Sequence, residues 1–323
     1  GVTRFSKLSV FSGLNNLNDI SMDDEYAGIC GITEQELESY FRDEIILLAE
    51  KLNGSYDKTL SILKSKYDGY HFSPDTLGIY NPFSLLSCLQ KKQINNYWYA
   101  TGTPSFLVKV LQQADYRLED LPNETSSQFD LSNIDSLADN PVSLLFQAGY
   151  LTIHGRNDRG RYVLGFPNME VKEGFLNALL PAYTRRNQSD ANRYIDRLLD
   201  AAKEGDPDEM LELLRSVYAG VPFESAKGIE LHYRNIIFLV MYIMGLNVEV
   251  EHHSSRGRLD FVLKTDKYIY VMEFKLDKSA GEALAQIEEK GYAMQYAKDP
   301  RKLFLIGVNF SSQTNNIDEW IVK

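Results

Sequence analysis

The sequence predicts a multidomain α+β protein, and three observations support that class. The chain has 323 residues, which is long enough for two or three domains. Helix signals recur along its first two thirds, where capping residues precede apolar residues at helical spacing. The C-terminal third instead follows the order helix, three strands, helix and strand.

The sequence predicts a first domain at residues 1–118 that is mainly helical. A strand is expected at Val2–Val10. Thr33 is a suitable helix N-cap, and Glu36 three residues later completes a capping box, which predicts a helix from Glu34 to about Leu52. Further helices are expected at Lys58–Tyr67, Pro82–Lys91 and Pro104–Gln113.

A second domain is predicted at residues 119–222. It starts in a polar, turn-rich boundary segment, Glu119–Asn140. A helix, a hairpin and a helix follow, at Val142–Ala148, Tyr150–His154 with Arg161–Gly165, and Glu170–Tyr183. This order resembles a winged-helix module, which can place a recognition helix in the DNA major groove. The helix after the hairpin is apolar, so a spacing scaffold is favoured. Asp190–Ala219 predicts one or two amphipathic helices, and Gly220–Pro222 marks the next boundary.

A third domain, with its helices and strands in the order αβββαβ, is predicted at residues 223–323. The expected elements are a helix at Phe223–Gly245, strands at Asn247–His253, Gly257–Lys264 and Tyr268–Lys275, a helix at Ala280–Ala297, and strands at Leu303–Val308 and Trp320–Val322. Residues Tyr268–Phe274 are apolar on both faces, which is typical of a central, covered strand. Glu273 and Lys275 nevertheless lie in it.

The hairpin of the second and third strands brings acidic residues together. Its simplest register pairs Lys264 with Lys267 and Asp260 with Val271, so that Asp260 and Glu273 become diagonal neighbours on one face, about 7–8 Å apart. Two close carboxylates repel each other unless a proton or a metal ion intervenes. A hard divalent ion such as Mg²⁺ suits these oxygen ligands.

These motifs resemble the PD-(D/E)XK nuclease superfamily. Arg256–Asp260 and Glu273-Phe274-Lys275 match its core, and Gln286, Lys290 and Tyr292 match a Q-x-x-x-K-x-Y helix of one of its branches. The resemblance implies a restriction-endonuclease-like fold and a nuclease that hydrolyses nucleic acid, DNA in the first place.

The resemblance also implies a role for each site residue. Asp260 and Glu273 would hold Mg²⁺ or Mn²⁺, and Lys275 would orient the attacking water or stabilise developing charge. Glu230 and Gln286 would support that catalytic site. Nucleic-acid phosphates would contact Arg256, Arg258 and Lys290.

The branch with this helix is fused to an AAA-ATPase-like domain in many bacterial proteins. The runs GLNNLNDIS, YDGYHF, YNPFSLL and YWYATGTPSFL resemble the C-terminal part of that domain, over about residues 1–111. No G-x-x-x-x-G-K-[ST] loop occurs. We therefore expect a fragment without ATPase activity, with ATP bound only by the missing N-terminal half. AAA-type domains often form rings, so the resemblance also implies a homo-oligomer.

Simpler interpretations stand beside these roles. Glu230 and Arg234 are spaced for an ordinary helical ion pair, and Glu273 could pair with Lys275 while Asp260 lies in a turn. Gln286 and Lys290 could face solvent. The adjacent His252 and His253 fall on opposite faces of a strand, which argues against a joint metal site. At the level of function, the alternatives are an inactive nuclease fold that binds nucleic acid or a protein, and a regulator of an ATPase.

Composition narrows the class of protein. The formal net charge is −11, which argues against a generally basic nucleic-acid-binding surface. From Phe223 onward there are 13 Lys and Arg against 14 Asp and Glu, so most of the acidity lies upstream. The longest apolar run, Ile236–Leu246, is too short to cross a membrane. Cys30 and Cys88 match no metal or redox spacing and predict two buried thiols in a reducing cytoplasm.

Overall fold

The computed structural model describes residues 20–100, 105–132, 141–218, 229–245, 249–255 and 258–323, and these form a mixture of helices and sheets of the α+β type. The side chains at positions 100, 132, 229–230, 249–255, 258–260 and 292–293 lie outside that description. Contacts divide the chain into two compact units, residues 1–116 with 120–175, and residues 117–119 with 176–323. The division into three domains at residues 118 and 222 stays a prediction.

The first unit contains a series of helices that follow the capping and apolar signals of the sequence. They are α1 (Glu34–Tyr40), α2 (Arg42–Lys51), α3 (Tyr56–Tyr67), α4 (Pro82–Lys91), α5 (Tyr97–Ala100) and α6 (Ser105–Gln113). The capping box at Thr33 is confirmed, because its Oγ1 accepts the Glu36 N–H at 3.2 Å and the Glu36 carboxylate accepts the Thr33 N–H at 2.9 Å. The strand expected at Val2–Val10 lies outside the described residues.

The single helix expected from Glu34 to Leu52 is wrong, because the chain breaks it into α1 and α2. Phe41 leaves helical geometry, with φ −122° and ψ 20°, and it ends α1 and begins α2. Leu37 and Ile45 are fully buried on either side of the break, and Phe41 packs against the same core. Their four-residue spacing continues through the break, so the periodicity carries no sign of it.

The two cysteines differ in burial. Cys88 is buried in α4, whereas Cys30 is exposed. The expectation of two buried thiols is therefore wrong for Cys30, because this residue lies in a turn before α1 rather than in a packed element.

The later part of the first unit is built around a small antiparallel sheet. Its elements are β1 (Glu124–Ser126), α7 (Gln128–Ser132), α8 (Pro141–Gln147), β2 (Thr152–Arg156), β3 (Tyr162–Gly165) and the first part of α9 (Met169–Thr184), which continues into the second unit at residue 176, and the strand order is β1-β3-β2. The predicted helix, hairpin and helix are present as α8, β2 with β3, and α9. The segment expected to be only a polar boundary supplies β1, because Glu124 pairs with Leu164. Likeness to a winged helix stays a prediction.

The second unit combines helices with a five-stranded sheet. The helices are α10 (Gln188–Glu204), α11 (Pro207–Tyr218), α12 (Ile229–Met244) and α13 (Ala280–Glu289), and the strands are β4 (Glu249–Ser255), β5 (Arg258–Lys264), β6 (Tyr268–Leu276), β7 (Lys302–Ser311) and β8 (Asn316–Val322). A short 3-10 helix, Tyr292–Tyr296, ends the region that was expected to be one helix to Ala297. Among the described residues, no helix has the length and apolarity of a membrane span.

The sheet has the order β4-β5-β6-β7-β8, and every neighbouring pair is antiparallel except β6 with β7. A parallel pair needs a crossover, which α13 provides. On the face of the sheet that α13 covers, Val262, Val271 and Leu305 pack against Ile287. The helix is thus fixed by an apolar core that includes Val271, two residues before Glu273 on the same face of β6.

The register predicted for the β5–β6 hairpin is wrong by two residues. Lys264 pairs with Ile269 rather than with Lys267, and Asp260 pairs with Glu273 rather than with Val271. Thr265 follows the last residue of β5 and continues the same register, because its N–H donates to the Tyr268 carbonyl at 2.9 Å. The turn therefore lies one residue later than expected. Since side chains alternate with a period of two, this shift leaves each residue on the face that was predicted.

A histidine in α12 makes the stability of the second unit sensitive to pH. His232 stacks on Tyr183, with ring centroids 5.9 Å apart. Burial, together with the charge of Arg185, lowers the pKa of His232 from 6.5 to about 4. The unfolded chain therefore binds a proton that the folded protein excludes. The stability from this group is present above pH 6.5 and is lost as pH falls toward 4.

We expect the free energy of unfolding to fall by about 2 kcal/mol between pH 7 and pH 5 because of His232. Urea unfolding at both pH values measures the difference, and His232→Gln should reduce it by that amount. An equal pH dependence in the wild type and in His232→Gln would contradict the assignment.

Candidate active site

Two charged side chains are buried in the apolar central strand β6. Glu273 is 0% exposed and Lys275 is 8% exposed. Taking an ion out of water costs several kcal/mol unless it is paired and hydrogen-bonded. Glu273 and Lys275 therefore need partners close by, and the sequence spacing of two places both on the same face of the strand.

The partners of these charges form a closed triangle with Gln286 of α13. Lys275 Nζ lies 2.5 Å from Glu273 Oε1 and donates to Gln286 Oε1 at 2.6 Å. Gln286 Nε2 donates to the same Glu273 Oε1 at 2.5 Å. Each side chain in the triangle contacts the other two. Gln286 is partly buried and turns toward the sheet, so the interpretation that it simply faces solvent is wrong, and the triangle fixes the Lys275 ammonium beside the Glu273 carboxylate.

Two local features hold α13 over this triangle. At its N-terminus, Ser279 accepts the Glu282 N–H at 3.1 Å while the Glu282 carboxylate accepts the Ser279 N–H at 3.1 Å, a second capping box. On the sheet, Gly307 of β7 is the register partner of Glu273. A Cβ at Gly307 would lie 2.2 Å from the Ala280 carbonyl oxygen. Only glycine allows the helix to approach so closely, and this role was missed although an isolated glycine in a strand is a signal of close backbone approach.

Gly307→Ala is expected to destabilise the protein by about 2–3 kcal/mol, because backbone rather than a flexible side chain meets the added methyl group. Gly281→Ala is the matched control. It lies in α13 itself, and its nearest contact would be Ser279 Oγ at 3.8 Å, so alanine should be neutral or stabilise by up to about 1 kcal/mol. Denaturant unfolding of both variants measures the contrast, and equal stabilities would contradict the close approach.

Asp260 faces Glu273 across the hairpin. The two are direct register partners in β5 and β6, and such residues share a face, with Cα atoms about 4.5–5.5 Å apart. This is closer than the diagonal relation predicted from the sequence. Asp260 also lies in a strand rather than in a turn, so the interpretation as an ion pair with Asp260 on a turn is wrong in that respect.

Several predicted site residues are only partly described. The side chains of Glu230, Arg258 and Asp260 lie outside the description, and Arg256 lies outside it entirely. Lys290 is exposed at the C-terminal end of α13, one turn beyond Gln286. Among the side chains that the structure does describe, no three His, Cys, Asp or Glu form a metal-ligand group. The roles of these residues stay predictions.

Arg234, the residue whose spacing favours an ion pair with Glu230, contacts an acidic residue outside its own helix. Arg234 forms a two-pronged ion pair with the buried Glu119, with distances of 2.8 and 3.0 Å from Nη2 to the two carboxylate oxygens. A hydrogen bond from the Leu118 N–H to Asn235 Oδ1, 2.9 Å long, accompanies it. Arg234 therefore helps to attach residues 117–119 to the second unit.

The mixed sheet has Glu-x-Lys buried in its central strand, an aspartate at the paired position and a glutamine-bearing helix packed on top, which is the arrangement that the sequence motifs predict. Residues 228–320 match the model of the PD-(D/E)XK nuclease superfamily. This part of the chain is therefore a PD-(D/E)XK nuclease superfamily domain.

A relative from Azotobacter chroococcum extends the similarity over the whole chain. That protein, described as "Uncharacterized protein in vnfD 5'region", is 33% identical over 333 aligned residues. The alignment covers 100% of this chain and 62% of the relative, so the chain spans less than two thirds of the relative's length. No solved structure matches the chain. The AAA-ATPase-like resemblance is not supported by these comparisons and stays a prediction.

Proposed function

We propose that residues 228–320 hydrolyse phosphodiester bonds of DNA with the help of Mg²⁺ or Mn²⁺. The observation that carries this proposal is the position of Asp260 opposite Glu273, with Lys275 and Gln286 fixed on the same carboxylate. A nuclease superfamily domain implies a nucleic-acid substrate. The choice of DNA over RNA comes from the family resemblance, since the acidic composition gives no support of its own.

The donor set fits a hard divalent cation. Two carboxylates occupy facing strand positions, and oxygen donors of this kind suit Mg²⁺ and Mn²⁺. A bound ion would polarise the scissile phosphate and lower the pKa of a coordinated water. Asp260 and Glu273 would supply the ligands, and the Lys275 ammonium would orient the attacking water and stabilise the charge that develops on the phosphate.

The remaining predicted residues would support this arrangement. Gln286 would keep Lys275 and Glu273 in place through its two hydrogen bonds. Glu230 would act from α12 on the ion or on its water. Arg256, Arg258 and Lys290 would contact flanking phosphates, where they add affinity that does not depend on sequence.

The upstream regions belong to the same proposal. We propose that residues 1–118 are the C-terminal part of an AAA-ATPase-like domain and that residues 119–222 resemble a winged helix. That proposal includes ATP binding in a longer protein and coupling of ATP to cleavage. It also includes assembly into a homo-oligomer and a cytoplasmic location. Its support is the set of sequence runs described above.

The test is cleavage of plasmid, linear double-stranded and single-stranded DNA, and of RNA, with Mg²⁺, with Mn²⁺ and with chelator. The proposal predicts cleavage of at least one DNA that requires the ion and is lost in Asp260→Asn. Identical behaviour of the wild type and Asp260→Asn would contradict it. Retained DNA binding without cleavage would instead favour an inactive nuclease fold that serves as a binding module.

A further inference from the structure

A cavity in the first unit is lined by none of the residues of the candidate active site. Its volume is about 650 Å³, which falls within the range of about 300–1,000 Å³ that is usual for small-molecule sites. One part of its wall comes from residues between positions 20 and 98, and the other from residues 146–152, which run from the end of α8 to the start of β2. All of them belong to the first unit, so the cavity is a feature of that unit alone.

The four sequence runs that resemble an AAA-ATPase-like domain all contribute to this cavity. Tyr70 comes from YDGYHF, Tyr80 from YNPFSLL and Trp98 from YWYATGTPSFL, and the run GLNNLNDIS contributes its last two residues, Ile20 and Ser21. The runs are separate in the sequence, yet part of each lies at one cavity. The proposed nuclease chemistry uses none of them, so their convergence requires another explanation.

Hydrogen bonds hold the wall of the cavity in place. The His71 N–H donates to Thr152 Oγ1 at 2.7 Å, and the same hydroxyl donates to the His71 carbonyl oxygen at 3.0 Å. Tyr70 and Ile79 exchange two backbone hydrogen bonds, of 3.3 and 3.0 Å. These contacts join the two parts of the wall and fix the YDGYHF run. A site that is formed in advance loses less entropy when a ligand binds.

The wall of the cavity is rich in aromatic rings. Six of the 19 residues around it are Phe, Tyr or Trp, a share well above the 12% of the whole chain. None of these 19 described residues is Lys, Arg, Asp or Glu. An ionised ligand would lose its hydration there without a counter-charge, which is costly. A neutral aromatic ring would instead stack on the rings of the wall.

Large apolar side chains of the wall are exposed. Ile29 is 69% exposed and Tyr26 is 37% exposed, whereas Tyr80 is fully buried. Each Å² of apolar surface that a ligand covers adds about 25 cal/mol of favourable free energy. A ligand in the cavity would therefore contact both buried rings and exposed apolar groups that the described part of the chain leaves open to water.

We propose that this cavity binds an uncharged, planar aromatic small molecule of two or more fused rings. The volume of the cavity admits a ligand of that size, the rings of the wall favour stacking, and the lack of acidic and strongly basic side chains disfavours a charged one. The Asn81 and Gln147 amides that line the cavity supply uncharged polar groups for a ligand with few polar atoms. This inference goes beyond the proposed nuclease activity and does not depend on it.

The test is calorimetric titration of the full chain with indole, adamantanol and indole carboxylate. Indole is planar, aromatic and uncharged, and it should bind at least about 5-fold more tightly than the aliphatic adamantanol, which cannot stack. It should bind at least about 10-fold more tightly than indole carboxylate, whose charge would be desolvated. No binding of indole at millimolar concentration, or equal or tighter binding of indole carboxylate, would overturn the proposal.

Two variants locate the binding in the cavity. Tyr26→Ala removes a partly exposed ring of the wall and should weaken indole binding by at least about 5-fold. Tyr40→Ala is the matched control, because Tyr40 is exposed on α1 and lies outside the wall, and its affinity should equal that of the wild type. Ala148→Phe places a ring at the wall of the cavity and should weaken binding by at least about 10-fold, since the ring takes the space of the ligand.

A thiol gives a second readout that is independent of the heat signal. Cys30 is exposed and lines the cavity, whereas Cys88, the other cysteine of the chain, is buried. Alkylation by iodoacetamide therefore reports Cys30, and saturating indole should slow it by at least about 3-fold, because the rate depends on access to the thiol. Wild-type affinity in both Tyr26→Ala and Ala148→Phe, together with an unchanged alkylation rate, would overturn the cavity as the binding site.

Discussion

Asp260→Asn is expected to lower the DNA cleavage rate by at least about 10³-fold, equivalent to about 4 kcal/mol of transition-state stabilisation. The substitution replaces the carboxylate at one of two directly paired strand positions by a neutral amide of the same shape. It weakens the attraction for a divalent ion while it leaves the β5–β6 ladder intact. Single-turnover cleavage at saturating enzyme measures the effect without interference from product release.

The matched control for this variant is Asp266→Asn. Asp266 is exposed at the turn of the same hairpin, so it undergoes the same chemical change away from Glu273. Its cleavage rate should equal that of the wild type, and unfolding should show both variants folded. A comparable loss of activity in the two variants would mean that the hairpin, rather than the position opposite Glu273, is responsible.

Lys275→Met is expected to destabilise the protein by about 3–5 kcal/mol, because it leaves the fully buried Glu273 carboxylate without its ammonium partner. Methionine fills a similar volume, so the loss reports the unpaired charge more than a cavity. Millimolar Mn²⁺ should recover part of the loss, because a divalent cation then supplies the missing positive charge. Denaturant unfolding with and without Mn²⁺ measures both effects.

Lys278→Met serves as the control, because Lys278 is exposed just beyond the end of β6. Its stability should lie within about 0.5 kcal/mol of the wild type, and Mn²⁺ should affect it no more than the wild type. If Lys275→Met were as stable as Lys278→Met, the buried ion pair would not be the interaction that holds the site together.

The sequence predicted the location of the site better than its detailed geometry. Glu273 and Lys275 are charged residues in an otherwise apolar strand. This pattern is unusual, and it identifies the buried charges directly. The register of the hairpin was two residues out, because Thr265 can serve either as a turn residue or as the last ladder residue. The period of two preserved the face of Asp260 despite that error.

Features that depend on tertiary contacts were not predictable in the same way. The break at Phe41 interrupts no apolar pattern, and β1 is a strand of three residues whose pairing with β3 lies far along the chain. The close approach of α13 at Gly307 became clear only from the distance to the Ala280 backbone. The triangle with Gln286 could likewise not be predicted, because it depends on the position of α13 relative to the sheet.

The most direct test of the account is a crystal structure of the chain with Mn²⁺, with the ion located by its anomalous scattering. We predict one ion between Asp260 and Glu273, with the Lys275 ammonium beside it and still bonded to Gln286. An ion found elsewhere while both carboxylates stay unligated, or no ion at saturating Mn²⁺, would contradict the assignment of these residues as a metal-dependent active site.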